Sequence, residues 1–160
     1  MRHVTVLCVG KLRESYWREA CAEYQKRLQG FCRLSVWEVE EERLPDAPSP
    51  AQITAALEAE GKRLLSKIPA GAAVLPLCVE GDALTSEELS GLLARLAVSG
   101  KSDLCFLIGS SFGLSGRVKA AATRRLSLSP LTFPHQLARV VLLEQLYRAF
   151  QIEAGGKYHK

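Results

Sequence analysis

The chain has 160 residues, 48% of them hydrophobic and 24% charged, with a formal net charge of +4. That length suffices for one domain with a real core, and the composition is ordinary for a soluble globular protein. No apolar run approaches the ~20 residues of a membrane span, and the short apolar N-terminus lacks a small-residue cleavage site, so neither a membrane protein nor a signal peptide is expected. The five cysteines (Cys8, Cys21, Cys32, Cys78 and Cys105) are odd in number and form no Cys-x-x-Cys pair. Reduced thiols of a cytoplasmic protein are expected, with no disulfide framework and no metal site.

Taken in chain order, an apolar run over residues 4–9 ends at Gly10 and predicts a buried strand. Helical spacing over 14–28 puts Tyr16, Trp17, Ala20, Cys21, Tyr24 and Leu28 mainly on one side. Residues 31–39 alternate as a second strand, and the acidic stretch 40–50, with Pro45, Pro48 and Pro50, reads as a surface loop. A helix follows over 51–68, then an apolar strand over 72–79 ended by Glu80-Gly81-Asp82. Thr85-Ser-Glu-Glu88 resembles a capping box opening a helix to about Val98. Residues 104–108 form another apolar strand, Ser115 caps a helix over 116–123, and 126–128 is a short strand. The last helix spans 136–153, and its apolar residues, from Leu137 to Phe150, cover nearly its whole circumference. A helix apolar all round must be buried on all sides. A second copy of the chain is the natural cover, so a homodimer through the C-terminal helix is expected. No repeat or linker interrupts residues 1–160, which read as one domain. Strands alternating with helices predict an α/β fold, a mostly parallel sheet flanked by helices.

Charge is unevenly spread. Residues 1–37 carry seven basic and three acidic side chains, residues 38–60 one and seven, and residues 101–160 nine and three. Basic ends can collect a polyanion such as RNA. The chemistry is expected in the loops after the late strands, where open α/β sheets bind ligands. Gly109-Ser-Ser-Phe-Gly113 matches the Gly-x-Ser-x-Gly of hydrolases, with Ser111 as nucleophile. A triad would then need Glu144 or Glu153 as acid and His159 as base, and Glu144 stands at simple ion-pair spacing from Arg148. No phosphate-binding glycine motif occurs. A ligand held by backbone groups of Gly/Ser loops without a phosphate clamp suits adenosine with a short charged tail.

Several stretches together resemble a known family. They are Val6-Leu-Cys-Val-Gly-Lys11, Leu77-Cys-Val-Glu-Gly81, Phe106-Leu-Ile-Gly-Ser-Ser-Phe-Gly-Leu114, Ser127-Leu-Ser-Pro-Leu-Thr-Phe-Pro-His135, Arg139, Glu144-Gln-Leu-Tyr-Arg-Ala149, Ile152 and Tyr158-His159-Lys160. The chain is similar over its whole length to the small SPOUT-type methyltransferases that modify N3 of a pseudouridine in 23S ribosomal RNA. The resemblance implies a SPOUT-type α/β fold with a C-terminal trefoil knot, a homodimer, S-adenosylmethionine as cofactor, and 23S rRNA in the assembled ribosome as substrate. By position it implies a cofactor pocket lined by Leu77, Gly109, Leu128, Ser129, Pro130, Leu131, Thr132 and Phe133. The family's tail helps complete the partner subunit's site.

Methylation at N3 requires that its proton leave, hence a general base or a positive charge to stabilise the anion. His135, Arg139, Tyr158 and His159 are the expected catalytic residues; a polar cap on the last helix is the other role open to His135. Arg148, Lys157 and Lys160 are the expected RNA contacts. One departure stands out: Ser110 occupies the place of the family's second glycine, and a positive φ there would cost roughly 1 kcal/mol.

Overall fold

In a computed structural model describing residues 1–160, five strands alternate with five helices. These are β1 (Arg2–Val9), α1 (Ser15–Leu28), β2 (Cys32–Val39), α2 (Pro50–Leu65), β3 (Ala73–Ala83), α3 (Ser86–Val98), β4 (Leu104–Ile108), α4 (Gly116–Ala120), β5 (Leu126–Ser127) and α5 (His135–Glu153). The strands form one sheet in the order β2-β1-β4-β3-β5, and every pairing is parallel. The expected α/β architecture is therefore the observed one.

Period-two side-chain alternation divides the core in two. Val4, Val6 and Cys8 of β1, with Leu104, Phe106 and Ile108 of β4, pack against α1, α3 and α5. Leu7, Val9, Cys105 and Leu107 face the other way, onto Leu64 of α2 and Val118 of α4. Every residue of β4 is buried, as a central parallel strand covered on both faces must be. All five cysteines are free thiols. Burial pushes Cys8 and Cys105 up to about 12 and Cys32 to about 11, so these thiols stay protonated and unreactive at neutral pH. No helix is long and apolar enough to cross a membrane.

Strand β3 and helix α4 depart from the expected bounds through contacts with distant strands, and α2 ends at Leu65 rather than 68. Strand β3 continues past Val79 to Ala83 because Gly81 lets β5 approach: a Cβ there would lie 2.6 Å from the Leu126 backbone. Asp82 N–H then donates to the Arg125 carbonyl at 3.0 Å. Pairing with β5 shifts register between Leu77 and Asp82, so residues 78–81 bulge out of the ladder. Helix α4 ends at Ala120 rather than 123, because Thr123 is drawn to β3: its N–H donates to the Val74 carbonyl (2.8 Å) and its Oγ1 accepts from Val74 N–H (2.9 Å). The capping box expected at α3 is half formed, with Thr85 Oγ1 accepting from Glu88 N–H. A complete, reciprocal box opens α2 instead, between Ser49 and Gln52, with Pro50 at the first helical position.

Helix α5 buries Arg139, Leu142, Leu143, Leu146, Ala149 and Phe150 against the sheet and its neighbours α1 and α3. Leu137, Val140, Val141 and Tyr147 are half-buried. Phe106, fully buried at the middle of β4, joins β4 to the α5 side of the core. Truncating Phe106→Ala is expected to lower unfolding free energy by about 3–5 kcal/mol through lost burial and a residual cavity. Urea denaturation monitored by circular dichroism measures this.

Candidate active site

The carboxyl end of β4 delivers the chain into a turn that tolerates no side chain. A Cβ on Gly109 would lie 2.2 Å from the Gly113 carbonyl oxygen. Gly113 N–H donates to Ser110 O at 2.9 Å, and Gly113 takes a left-handed φ of 91°. Every residue with positive φ is a glycine, so Ser110 is not strained in the place of a glycine. The expected penalty does not arise, because the left-handed position of this turn falls on Gly113.

A second loop follows β5. Ser127 Oγ donates to the Ser129 carbonyl at 3.0 Å, and Ser129 Oγ accepts from Leu131 N–H at 3.0 Å. Such local side-chain bonds give this segment a turn without secondary structure. Between this loop, the turn after β4 and the bulged part of β3 lies a cleft of about 800 Å³. Of the residues expected to hold a cofactor, Leu77, Gly109, Leu128, Ser129, Leu131, Thr132 and Phe133 all line it, and Pro130 does not. The volume suits a nucleoside-sized ligand.

His135, the first residue of α5, lines the same cleft and is half-buried. It caps nothing: α5 has no side-chain capping bond, and Pro134 stands at the cap position. Burial lowers the His135 pKa and so disfavours the protonated ring, an effect that the Glu41 carboxylate partly opposes. Cys78, Val79, Glu80, Phe112 and Lys119 also line the cleft. None of them is an expected site residue, although Cys78 through Glu80 and Phe112 lie inside stretches that carry the family resemblance.

Arg139 lies elsewhere. Its side chain is 4% exposed, and the guanidinium donates from Nη1 to Glu38 Oε2 (2.7 Å) and from Nη2 to the Gly10 carbonyl (3.2 Å). It thus joins the ends of β1 and β2 to α5 and does not line the cleft. The tail is also separate from the cleft of its own chain. Arg148 donates from Nε and Nη2 to Glu144 Oε1 (3.0 and 2.6 Å), and from Nη1 to His159 Nδ1 (3.1 Å). Nδ1 accepts, so Nε2 carries the proton and donates to Glu87 Oε1 at 2.7 Å. Tyr158 donates to Glu144 Oε1 at 3.2 Å, and its ring lies 4.7 Å from the Arg148 guanidinium. Lys157 and Lys160 are exposed. The hydrolase triad does not form: Glu144 is tied to Arg148 and Tyr158, Glu153 to Arg2 (2.6 Å), His159 to Glu87 and Arg148, and Ser111 bonds none of them.

The sequence model of the family described as "Predicted SPOUT methyltransferase" matches residues 2–159. The chain is 49% identical over 159 residues to a Pelotomaculum thermopropionicum protein named "Ribosomal RNA large subunit methyltransferase H", covering 99% of each. It is 46% identical over 158 residues to a Bacillus pumilus protein of the same name, again covering 99% of each. Among solved structures, a probable methyltransferase from Bordetella pertussis superposes with a TM-score of 0.55 at 16% identity, over 92% of this chain and 95% of that one. At that identity the likeness is one of fold.

The depressed His135 pKa has a consequence for stability. The unfolded chain takes up a proton near the ordinary histidine value while the folded chain resists it, so the contribution is present above that value and lost as pH falls through the folded pKa. Thermal unfolding followed from about pH 7.5 down to about pH 5 is expected to show a shallower loss of Tm for His135→Gln than for the unsubstituted protein. Parallel curves would contradict a buried, neutral imidazole.

Proposed function

The chain belongs to the SPOUT methyltransferase family, and we propose that it transfers the methyl group of S-adenosylmethionine to N3 of a pseudouridine in 23S rRNA of the assembled ribosome. The observation that carries this reading is the convergence of Leu77, Gly109 and the 128–133 loop on one cleft beside a neutral imidazole. The names of its full-length relatives support a ribosomal RNA substrate.

The residues present fit the cofactor. Leu77, Leu128, Leu131 and Phe133 offer apolar walls to a purine, the 128–133 backbone offers donors and acceptors to its edge, and the bare backbone at Gly109 permits close approach. When bound, S-adenosylmethionine supplies a methyl group already activated by its sulfonium. The protein's tasks are then to align the target nitrogen, exclude water and remove a proton. His135 is the proposed base: held neutral by burial, it can accept the N3 proton. Arg139 serves at one remove, fixing the start of α5 against the ends of β1 and β2. Tyr158, His159 and Arg148 form a basic and aromatic cluster outside their own chain's cleft. In the proposed homodimer, closed through the half-buried face of α5, this cluster serves the partner's cleft, and Lys157 and Lys160 contact RNA phosphate. The knotted C-terminal threading and a cytoplasmic location accompany the same reading.

Labelled methyl transfer from S-adenosylmethionine to ribosomes lacking the modification is expected to yield N3-methylpseudouridine. His135→Ala should lower kcat by about 10²-fold with little change in the cofactor's KM. No label from correctly folded protein would overturn the proposal. Removing residues 158–160, which are half-buried or exposed, should leave Tm within a few degrees and reduce methylation at least about tenfold. Full activity without them would end the role given to the tail.

A further inference from the structure

Of the 22 residues lining the cleft, two carry a formal charge at neutral pH, and they are of opposite sign: Glu80 and Lys119. They come from different elements. Glu80 sits on the bulged part of β3, where pairing with β5 is interrupted, and Lys119 sits on α4. Their side chains meet at 2.5 Å between Nζ and Oε1, and both keep contact with solvent, at 26% exposure for Lys119 and 53% for Glu80. Lys119 holds the Glu80 carboxyl below the usual carboxylate range, with Arg125 a smaller influence of the same sign.

Building on the cofactor reading above, we infer that Glu80 and Lys119 form the subsite for the zwitterionic amino-acid end of the cofactor, Lys119 receiving its α-carboxylate and Glu80 its α-ammonium. The apolar walls at Leu77, Leu128, Leu131 and Phe133 suit a purine and offer nothing to a charged group. Apart from this pair, the side chains lining the cleft are apolar, hydroxyl, amide or thiol groups and the neutral imidazole of His135. A zwitterion requires one partner of each sign, since an ionised group taken from water without a partner is costly. Without ligand the two side chains satisfy each other. With ligand, one ion pair is replaced by two, and the net charge of the subsite is unchanged. A partly exposed pair adds little to stability. Its effect is therefore on selection, in favour of nucleosides carrying both charges.

The test compares two adenosine thioethers by isothermal titration calorimetry. S-adenosylhomocysteine carries the amino-acid end, whereas 5′-methylthioadenosine lacks both charges and keeps the nucleoside and sulfur. The unsubstituted protein is expected to prefer S-adenosylhomocysteine by at least about tenfold. Lys119→Met and Glu80→Gln should each weaken S-adenosylhomocysteine by about tenfold and leave 5′-methylthioadenosine within about twofold. Arg124→Met is the control: Arg124 pairs with Asp82 at 2.8 Å, neither residue lines the cleft, and both affinities should stay unchanged. Equal losses for both compounds, or no loss for either, would overturn the subsite while leaving the cofactor reading intact. Failure of the unsubstituted protein to bind either compound would overturn the cofactor reading and the subsite with it.

Discussion

Gly109 and the Gly113 carbonyl approach too closely for any side chain to stand between them, and the cleft depends on that contact. It folds the chain back at once after β4, the most deeply buried strand. A side chain at Gly109 would push the turn outward and open the wall that the cleft shares with β4. Because β4 is locked between β1 and β3, the turn is presented by a rigid base, and the softer loop after β5 closes on it. Loops on a rigid sheet are the usual place for binding residues in parallel α/β proteins.

Helix α5 connects the cleft to the rest of the molecule. Its first residue, His135, lines the cleft, and one turn later Arg139 is buried against Glu38 and Gly10. Removing one partner of a buried charge pair costs far more than the pair contributes, so Arg139 is a constraint on position more than a source of stability. It keeps the helix start, and with it the imidazole, in register with the ends of β1 and β2. Farther along the helix, Glu144 takes hydrogen bonds from Arg148, Tyr158 and Gln145. That carboxylate orders the tail, which would otherwise fray, and fixes the orientation of two aromatic or imidazole side chains on an outer face.

Much of the fold is legible in the sequence. Apolar runs punctuated by Gly, Ser and Pro mark β1, β4 and the two loops, and helical spacing marks α1, α2 and α3. These features report which face of a local segment is buried, and burial is dictated by period. The loops that line the cleft are legible only through motif resemblance, since Leu77, Gly109 and Leu128 have no local pattern that distinguishes them from core. The misread ends have two causes. At Thr123 and at Gly81-Asp82, hydrogen bonds to a distant strand override local preference, and at α2 the reciprocal cap lies inside a stretch read only as an acidic, proline-rich loop.

The sequence by itself determined the order of elements, the parallel α/β class and the identity of the Gly/Ser loops, because these follow from periodicity, from turn chemistry and from motifs that stand intact in the chain. Tertiary structure alone decided that Arg139 is consumed by Glu38 and Gly10, that Ser110 is free of strain, and that Glu80 meets Lys119 at the lining of the cleft. The two ion pairs join residues far apart in the chain, and Ser110 is free of strain because its turn places the left-handed residue at Gly113. Such pairings depend on strand order and on which helix covers which face, and no local spacing encodes them.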